Sequence, residues 1–431
     1  MSEWKTVKIS SFLKERESRI KPAESNKMGL KRLNKIDFSG KIHLVDKPTN
    51  TDMILIKKGD LVISGINVEK GAVSVYQENE DILATIHYSA YMFDETKIDI
   101  EYFKTFLKSR NFKEAINSQI KGGIKTELKP SKFLPLEIEL PDLEMQIKIR
   151  NKLNFVSEKI TQLDNIDNLN ASLISSLRQR ILQDAVQGKI VSQNSKDEPA
   201  SELLKKIKTE KEKLVREGKI RKDKPLALIS DEEKPYELPK GWEWVRLGEI
   251  RYDWGQKIPD KEFTYIDVSS INKERGFIEN RSQQILPQDA PSRARKIVKK
   301  GTVIYSCVRP YLLNTSIITN DIQPEPIVST AFAILHPFQS IDAKYLHYFL
   351  RSQVMIDFVN SKMVGMAYPA ISDSDFYNGL FPIPPLAEQK RIVAKVNALI
   401  ALCDELEKQV EKSQENSGKL MEAVLKESFA Q

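Results

Sequence analysis

The strongest constraint on this sequence is a heptad pattern that it carries twice. Stepping from Ile392 alternately by four and three residues gives Ile392, Val396, Leu399, Cys403, Leu406, Val410, Ser413, Ser417, Leu420 and Val424, of which eight are apolar. Subtracting 243 from each gives Ile149, Leu153, Val156, Ile160, Leu163, Asp167, Asn170, Ile174, Leu177 and Ile181, again with eight apolar positions. That spacing is the seam of a coiled coil. Each copy starts at a proline-bounded segment, Pro141-Asp142-Leu143-Glu144-Met145-Gln146 and Pro384-Pro385-Leu386-Ala387-Glu388-Gln389, because proline cannot sit in a helix interior. One such stretch alone reads as an ordinary core helix. Two in the same register imply one long helix used twice, in a chain built as a pseudo-dimer.

Further landmarks keep nearly the same offset. Trp244-Val245-Arg246-Leu247 echoes Trp4-Lys5-Thr6-Val7, Lys299-Lys300-Gly301-Thr302 matches Lys57-Lys58-Gly59-Asp60, Ile341–Leu346 matches Ile98–Phe103, and Gly365 corresponds to Gly122. The two halves therefore share a scaffold, while the stretches between landmarks differ. We expect an α+β fold with two mixed α/β domains, residues 1–140 and 238–381. The long helices then occupy 141–190 and 382–431, and 191–237 is a charged connector with a short helix over Glu198–Gly218. In the first domain, strands are expected over Met53–Ile56, Asp60–Ser64, Ala72–Tyr76 and Leu83–His87, with an amphipathic helix over Ile100–Lys108. Gly188 is placed to cap the first long helix. A length of 431 residues suits two cores rather than one.

Several classes of chemistry lack their residues. No Gly-rich loop followed by Lys-Ser or Lys-Thr is present, and no Asn-Pro-Pro-aromatic or Asp-Pro-Pro-aromatic tetrapeptide of the kind that grips a flipped adenine. The four histidines, His43, His87, His336 and His347, and the two cysteines, Cys307 and Cys403, are scattered without metal-ligand spacing. Two distant cysteines make no disulfide framework, which points to a reducing, cytoplasmic setting. No apolar run approaches the ~18 residues of a membrane span, and the first residues hold no signal-peptide core. We expect no catalytic residue, no metal and no cofactor held by this chain.

Binding is what remains. The net charge is +7, compatible with a polyanion without requiring one. In the first domain the candidates for touching DNA are Lys31, Arg32, Lys104, Lys108, Arg110, Lys121 and Lys125. In the second they are Lys257, Lys273, Arg275, Arg293, Arg295, Lys296, Arg309 and Tyr311, with Gly365 and Tyr368 in the loop Gly365–Ala370. Arginine and lysine neutralise phosphates or donate paired hydrogen bonds to guanine, and glycine lets backbone approach closely. Taken singly, each is an ordinary surface charge; the grouping is the signal.

At FPIPPLAEQKRIVAKV (Phe381–Val396) the sequence resembles the specificity subunits of type I restriction–modification systems. LRQRILQDAVQGKIV (Leu177–Val191), Asp197–Leu204 and YELPKGWEW (Tyr236–Trp244) resemble further stretches of that family, so the likeness runs over essentially the whole chain. The resemblance implies two target-recognition domains, each reading half of a split site on double-stranded DNA. They are separated by two antiparallel helices that dock two methyltransferase subunits, with restriction subunits joining. S-adenosylmethionine would be bound by the methyltransferase partners, and no membrane is involved. One departure is the first helix start, Pro-Asp-Leu-Glu-Met-Gln instead of the fuller Pro-Pro-Leu-Ala-Glu-Gln, which weakens the expectation that both halves meet their partner identically. Heptads from Ile149 to Ile181 span ~50 Å at ~1.5 Å per residue, roughly 14 base pairs at ~3.4 Å. Shortening both helices together should thus shorten the unread gap. Two other readings stay open: the specificity chain of a two-chain type II enzyme, and a coiled-coil protein-interaction scaffold.

Overall fold

The computed structural model describes residues 4–66, 72–119, 128–222, 225–279 and 283–429. The chain divides into two units, Met1–Asn168 with Glu411–Gln431, and Leu169–Val410. The first contains strands β1 (Lys5–Lys8), β2 (Leu13–Glu15), β3 (Arg19–Ile20), β4 (Arg32–Ile36), β5 (Ile42–Val45), β6 (Met53–Ile56), β7 (Leu61–Ser64), β8 (Val73–Val75), β9 (Ile82–Thr85), β10 (Tyr88–Phe93) and β11 (Glu137–Leu140). Its short helices are α1 (Pro22–Ser25), α2 (Ile100–Phe106), α3 (Arg110–Gln119) and α4 (Pro130–Phe133). The long helix α5 (Leu143–Val186) and α6 (Ala200–Arg216) follow. The second unit contains β12 (Glu243–Arg246), β13 (Arg251–Tyr252), β14 (Phe263–Ile266), β15 (Ile271–Asn272), β16 (Phe277–Ile278), β17 (Gln283–Ile285), β18 (Ala294–Ile297), β19 (Val303–Ser306), β20 (Thr315–Ile317), β21 (Pro326–Ser329), β22 (Phe332–Pro337) and β23 (Leu380–Ile383). With them are α7 (Ala343–Leu350), α8 (Gln353–Lys362) and α9 (Asp373–Tyr377), and α10 (Leu386–Ser428) is the second long helix.

Strand order repeats between the units. The sheet β2-β10-β7-β8 has its counterpart in β13-β22-β19-β20, and the ribbon β1-β11 in β12-β23. The remaining sheet, β3-β6-β9-β4-β5, corresponds to β18-β21-β14-β17 with β3 added at its edge. Each of these has a single parallel pair at the same place, β4 with β9 and β14 with β21. Strands β7 and β19 are buried at every position, which is why they read as unbroken apolar runs rather than alternating ones. The turns before them use Gly59 at φ +87° and Gly301 at φ +88°, the conformation that the third residue of a type II turn requires. The expected strand Leu83–His87 instead ends at Thr85, because Ile86 and His87 turn into β10, whose Tyr88 pairs with Ser64.

The helix starts are built alike. Gln146 is buried, accepts the Asp99 N–H at 2.9 Å through Oε1 and donates to the Pro141 carbonyl at 2.9 Å. Gln389, 243 residues on, accepts the Asp342 N–H at 2.8 Å and donates to the Pro384 carbonyl at 3.0 Å. Asp99 and Asp342 are in turn the N-caps of α2 and α7. One glutamine thus ties a proline turn to the start of a neighbouring helix. At the other end of α5, Gly188 has φ +71°, its N–H bonds Ala185 and the Lys189 N–H bonds Asp184, the paired closure that a left-handed glycine permits.

The seam is covered unevenly. Ile149, Leu153, Ile174 and Ile181 on α5, and Ile392, Val396, Cys403 and Val424 on α10, are buried together with the polar Asp167 and Ser417, whereas Leu163, Leu177, Leu406 and Leu420 are exposed. A pair of helices closes one face of each; the flanking position has nothing over it. The helices run antiparallel: Lys152 meets Glu427 at 3.1 Å in the first unit, and Arg178 meets Asp404 at 2.6 Å and Glu407 at 3.1 Å in the second. The connector packs down on the second unit. Leu203 and Ile207 of α6 enter the second core. The buried Arg246 holds the carbonyls of Ala227 at 3.1 Å and Leu228 at 2.9 Å and the carboxylate of Glu233.

The departure at the first helix start also finds its reason inside the fold. Glu388 faces inward, accepting from Trp242 Nε1 at 3.0 Å and Gln193 Nε2 at 2.7 Å, and burial raises its pKa. Arg391 pairs with Asp197 at 2.6 Å. These residues hold the connector to α10. Met145, in the place of Glu388, packs against the first core instead.

Candidate nucleic-acid interface

The candidate cations separate by what they already hold. In the first unit Arg32 donates to the carbonyls of Lys47 and Pro48 and braces the loop before β6. Lys104 pairs with Glu101 at 3.5 Å and Arg110 with Glu114 at 2.6 Å, both at exposed positions. Lys108 reaches the Ser39 carbonyl at 3.3 Å, and burial, with Lys104 nearby, lowers its pKa. Lys31 stands exposed beside a cleft of about 660 Å³ that Tyr76, Glu78 and Glu80 also line. Lys121 and Lys125, with Gly122 and Arg281, lie outside the described residues.

In the second unit Lys296 is the clear correction. It is 8% exposed, donates to the Phe332 carbonyl at 2.6 Å and pairs with Asp373 at 2.8 Å. A buried ammonium is held by such partners or not tolerated at all, so Lys296 is a structural residue. Lys257 pairs with Glu325 and Asp260, and Arg275 with Glu407 at 3.5 Å. Arg295 turns its guanidinium to the adjacent Ala294 carbonyl at 2.7 Å. Exposed pairs such as Arg110–Glu114 are worth only ~0.5 kcal/mol, so they yield readily to a phosphate. Among the described residues no carboxylate pairs with Lys273, Arg293 or Arg309, and all three are exposed.

One cluster is drawn together by the fold. Arg309 and Leu313 adopt φ of +46° and +55°, a left-handed conformation that costs side-chain-bearing residues roughly 1 kcal/mol each. Between them the turn Pro310–Leu312 presents Tyr311 to solvent, with the buried Tyr305 hydroxyl donating to the Pro310 carbonyl at 2.9 Å. The Arg309 N–H donates to the Pro369 carbonyl at 2.8 Å, and its guanidinium lies 5.5 Å from the centre of the Tyr368 ring. Residues 309–311 and 365–370, some fifty apart in sequence, therefore form one surface that carries an unpaired arginine, two exposed tyrosines and the backbone of Gly365. It suits both a phosphate and the flat face or polar edge of a base. Val364 and Met366 belong to it too. Met366 lies in the loop Gly365–Ala370 already singled out, and the sequence signal for Val364 is the uncharged run Met363–Ile371.

Three further titratable groups are shifted by burial. Burial, reinforced by Asp373, pushes the Cys307 thiol up to about 12. Burial lowers His336 to about 4 and, with Arg351 beside it, His347 to about 3. No helix among the described residues is long and apolar enough to cross a membrane.

Residues 239–415 match the family described as the type I restriction modification DNA specificity domain. The EcoEI type I restriction enzyme specificity subunit of Escherichia coli is 33% identical over 263 residues, 58% of this chain and 44% of that protein. The EcoAI specificity subunit of Escherichia coli is 37% identical over 244 residues, 54% of this chain and 41% of that protein. The matched stretch thus spans less than half of either relative. The solved HsdS subunit from Thermoanaerobacter tengcongensis has a TM-score of 0.57 at 17% identity, covering 99% of this chain and 96% of that one. A chain solved in work on complex assembly and conformational transition of the type I R-M system has a TM-score of 0.61 at 16% identity, with 99% and 97% covered. At these identities the likeness to the solved structures is one of fold.

Proposed function

We propose that this chain, which over residues 239–415 matches the type I restriction modification DNA specificity domain and is similar to the EcoEI and EcoAI specificity subunits, is the DNA-recognition subunit of a type I restriction–modification complex. In this reading each unit contacts half of an asymmetric, bipartite site on double-stranded DNA. The observation that carries it is the repeat itself. One strand order is used twice, while the surfaces differ, so a second copy of the scaffold presents different contacts to a second short sequence. In the second half-site Arg309, Tyr311 and Tyr368 read, and Lys273 and Arg293 add phosphate contacts.

Two methyltransferase subunits dock on the long helices, and restriction subunits join the assembly. Support comes from the open apolar positions, Phe155, Leu163 and Ile166 in the first unit and Leu169, Leu173, Leu177, Leu402 and Leu406 in the second. Apolar side chains recurring along an exposed helix mark a partner surface. S-adenosylmethionine and the methylation of a flipped adenine belong to those partners; this chain binds and delivers. The protonated Cys307 thiol, buried beside Asp373, fits a non-catalytic role.

The test is a methylation map of the host genome with and without this chain. One split, asymmetric adenine-methylated motif should vanish with it. Exchanging residues 241–380 for those of another family member should then change one half of the motif. An unchanged map, or a change in both halves, would refute the proposal.

A further inference from the structure

The loop between α8 and α9 carries no charged residue over Met363–Ile371, nine consecutive residues in a chain where 29% are charged. Val364 and Ala370 exchange both backbone hydrogen bonds, at 2.9 and 3.0 Å, closing a small hairpin. Its base is fixed to the core, since Ala370 also pairs with Val308 and the Ile371 N–H donates to the Cys307 carbonyl at 2.9 Å. Gly365 turns the chain at φ +107°, where a Cβ would stand 3.0 Å from the Tyr368 carbonyl. The base is hydrogen-bonded to the core and the tip points outward. Val364 is 78% exposed, Tyr368 76%, and Met366 completely so.

The surroundings say what covers such a tip. Arg309 stands over the Tyr368 ring and Lys362 is exposed where the loop begins. The nearest acids in sequence, Asp373 and Asp375, are engaged by Lys296 and the Ser372 hydroxyl. Cations at the base and slender or flat apolar groups at the tip complement a ligand with anionic edges and an apolar stacked interior, which is duplex DNA.

We infer that the Val364–Ala370 hairpin is a wedge: Met366 enters between two stacked base pairs at the second half-site, Tyr368 stacks on the face it opens, and Arg309 holds the flanking phosphate. This deepens, and rests on, the DNA-reading function proposed above. It adds that recognition includes a local unstacking and a bend, so deformability of one base step contributes to sequence choice.

The experiment uses the full chain co-expressed with its methyltransferase subunits. The probe is a duplex carrying the motif that this complex methylates in cells, with 2-aminopurine moved stepwise through the second half-site and a dye at each end. The wild-type complex should raise fluorescence at one step and shorten the end-to-end distance. Met366→Ala should abolish both signals and weaken binding to the intact duplex about tenfold. On a duplex mismatched at that step, where stacking is already lost, it should weaken binding far less. Unchanged signals and affinity in Met366→Ala would overturn the wedge. If Arg309→Gln still weakens specific binding in that case, the DNA-reading function stands by itself. Loss of methyltransferase subunits from Met366→Ala on gel filtration would assign the hairpin to a protein contact and equally overturn it. A wild-type complex without sequence-specific binding would refute both.

Discussion

Substituting Gln389 with leucine removes the tie between α10 and the second unit at nearly constant volume. The side chain is completely buried and makes two good bonds, to the Asp342 N–H at 2.8 Å and the Pro384 carbonyl at 3.0 Å, with a longer one of 3.3 Å to the Ser340 carbonyl. A buried backbone group left without its partner costs about 1–3 kcal/mol. Asp342 is half-buried, so water recovers part of its share, and the expected loss is roughly 2–4 kcal/mol. Gln146→Leu should cost somewhat less in the first unit, because the Arg150 guanidinium also holds Asp99 and no arginine stands at the equivalent Val393. Three of the four tryptophans, Trp242, Trp244 and Trp254, lie in the second unit. Gln389→Leu should therefore lower the urea midpoint seen by tryptophan fluorescence, while Gln146→Leu acts mainly on the ellipticity. Hydrogen exchange gives the local readout: the Asp342 amide should exchange about 30-fold to 1,000-fold faster in Gln389→Leu, and the Asp99 amide in Gln146→Leu. If Gln389→Leu left the Asp342 amide as protected as in the wild type, the role assigned to this glutamine would be wrong.

The remaining expectations concern charge, pH and the helices. Arg309→Gln should reduce the slope of log affinity against log salt by about one. Lys296→Met should lower stability by roughly 1–3 kcal/mol and leave that slope unchanged, and a reduced slope would return Lys296 to the interface. His336 and His347 stay neutral in the fold, at about 4 and about 3, but take up protons below about 6.5 when unfolded. Folded chains then bind fewer protons, so stability should fall as pH drops from about 6.5 to 5, by up to about 1.4 kcal/mol per pH unit for each histidine. Glu15 and Glu388, raised by burial, oppose part of this. His336→Gln should flatten the slope, and urea midpoints across the window test it. Ile181→Ala should cost about 2–5 kcal/mol. The exposed Leu177→Ser should change stability by no more than ~0.5 kcal/mol yet reduce capture of methyltransferase subunits, measured by pull-down.

What the sequence determined by itself is whatever depends on short-range periodicity. The heptads of α5 and α10, the proline-bounded starts, the Gly188 cap and the glycine turns at Gly59 and Gly301 are all set by a few neighbouring residues and their allowed dihedrals, and the common offset of 243 revealed the duplication before any fold was known. The tertiary structure alone decided which positions of the seam close, since Leu177 and Ile181 carry equivalent side chains and only the partner helix distinguishes them. It also decided which cations are free. Lys296 and Arg309 look alike as letters, but a strand pairing and one carboxylate 77 residues away bury the first, while a strained turn against a distant loop presents the second. Charge is a local property of a residue. Its availability depends on what the rest of the chain brings within about 4 Å, and that distance is fixed by long-range packing.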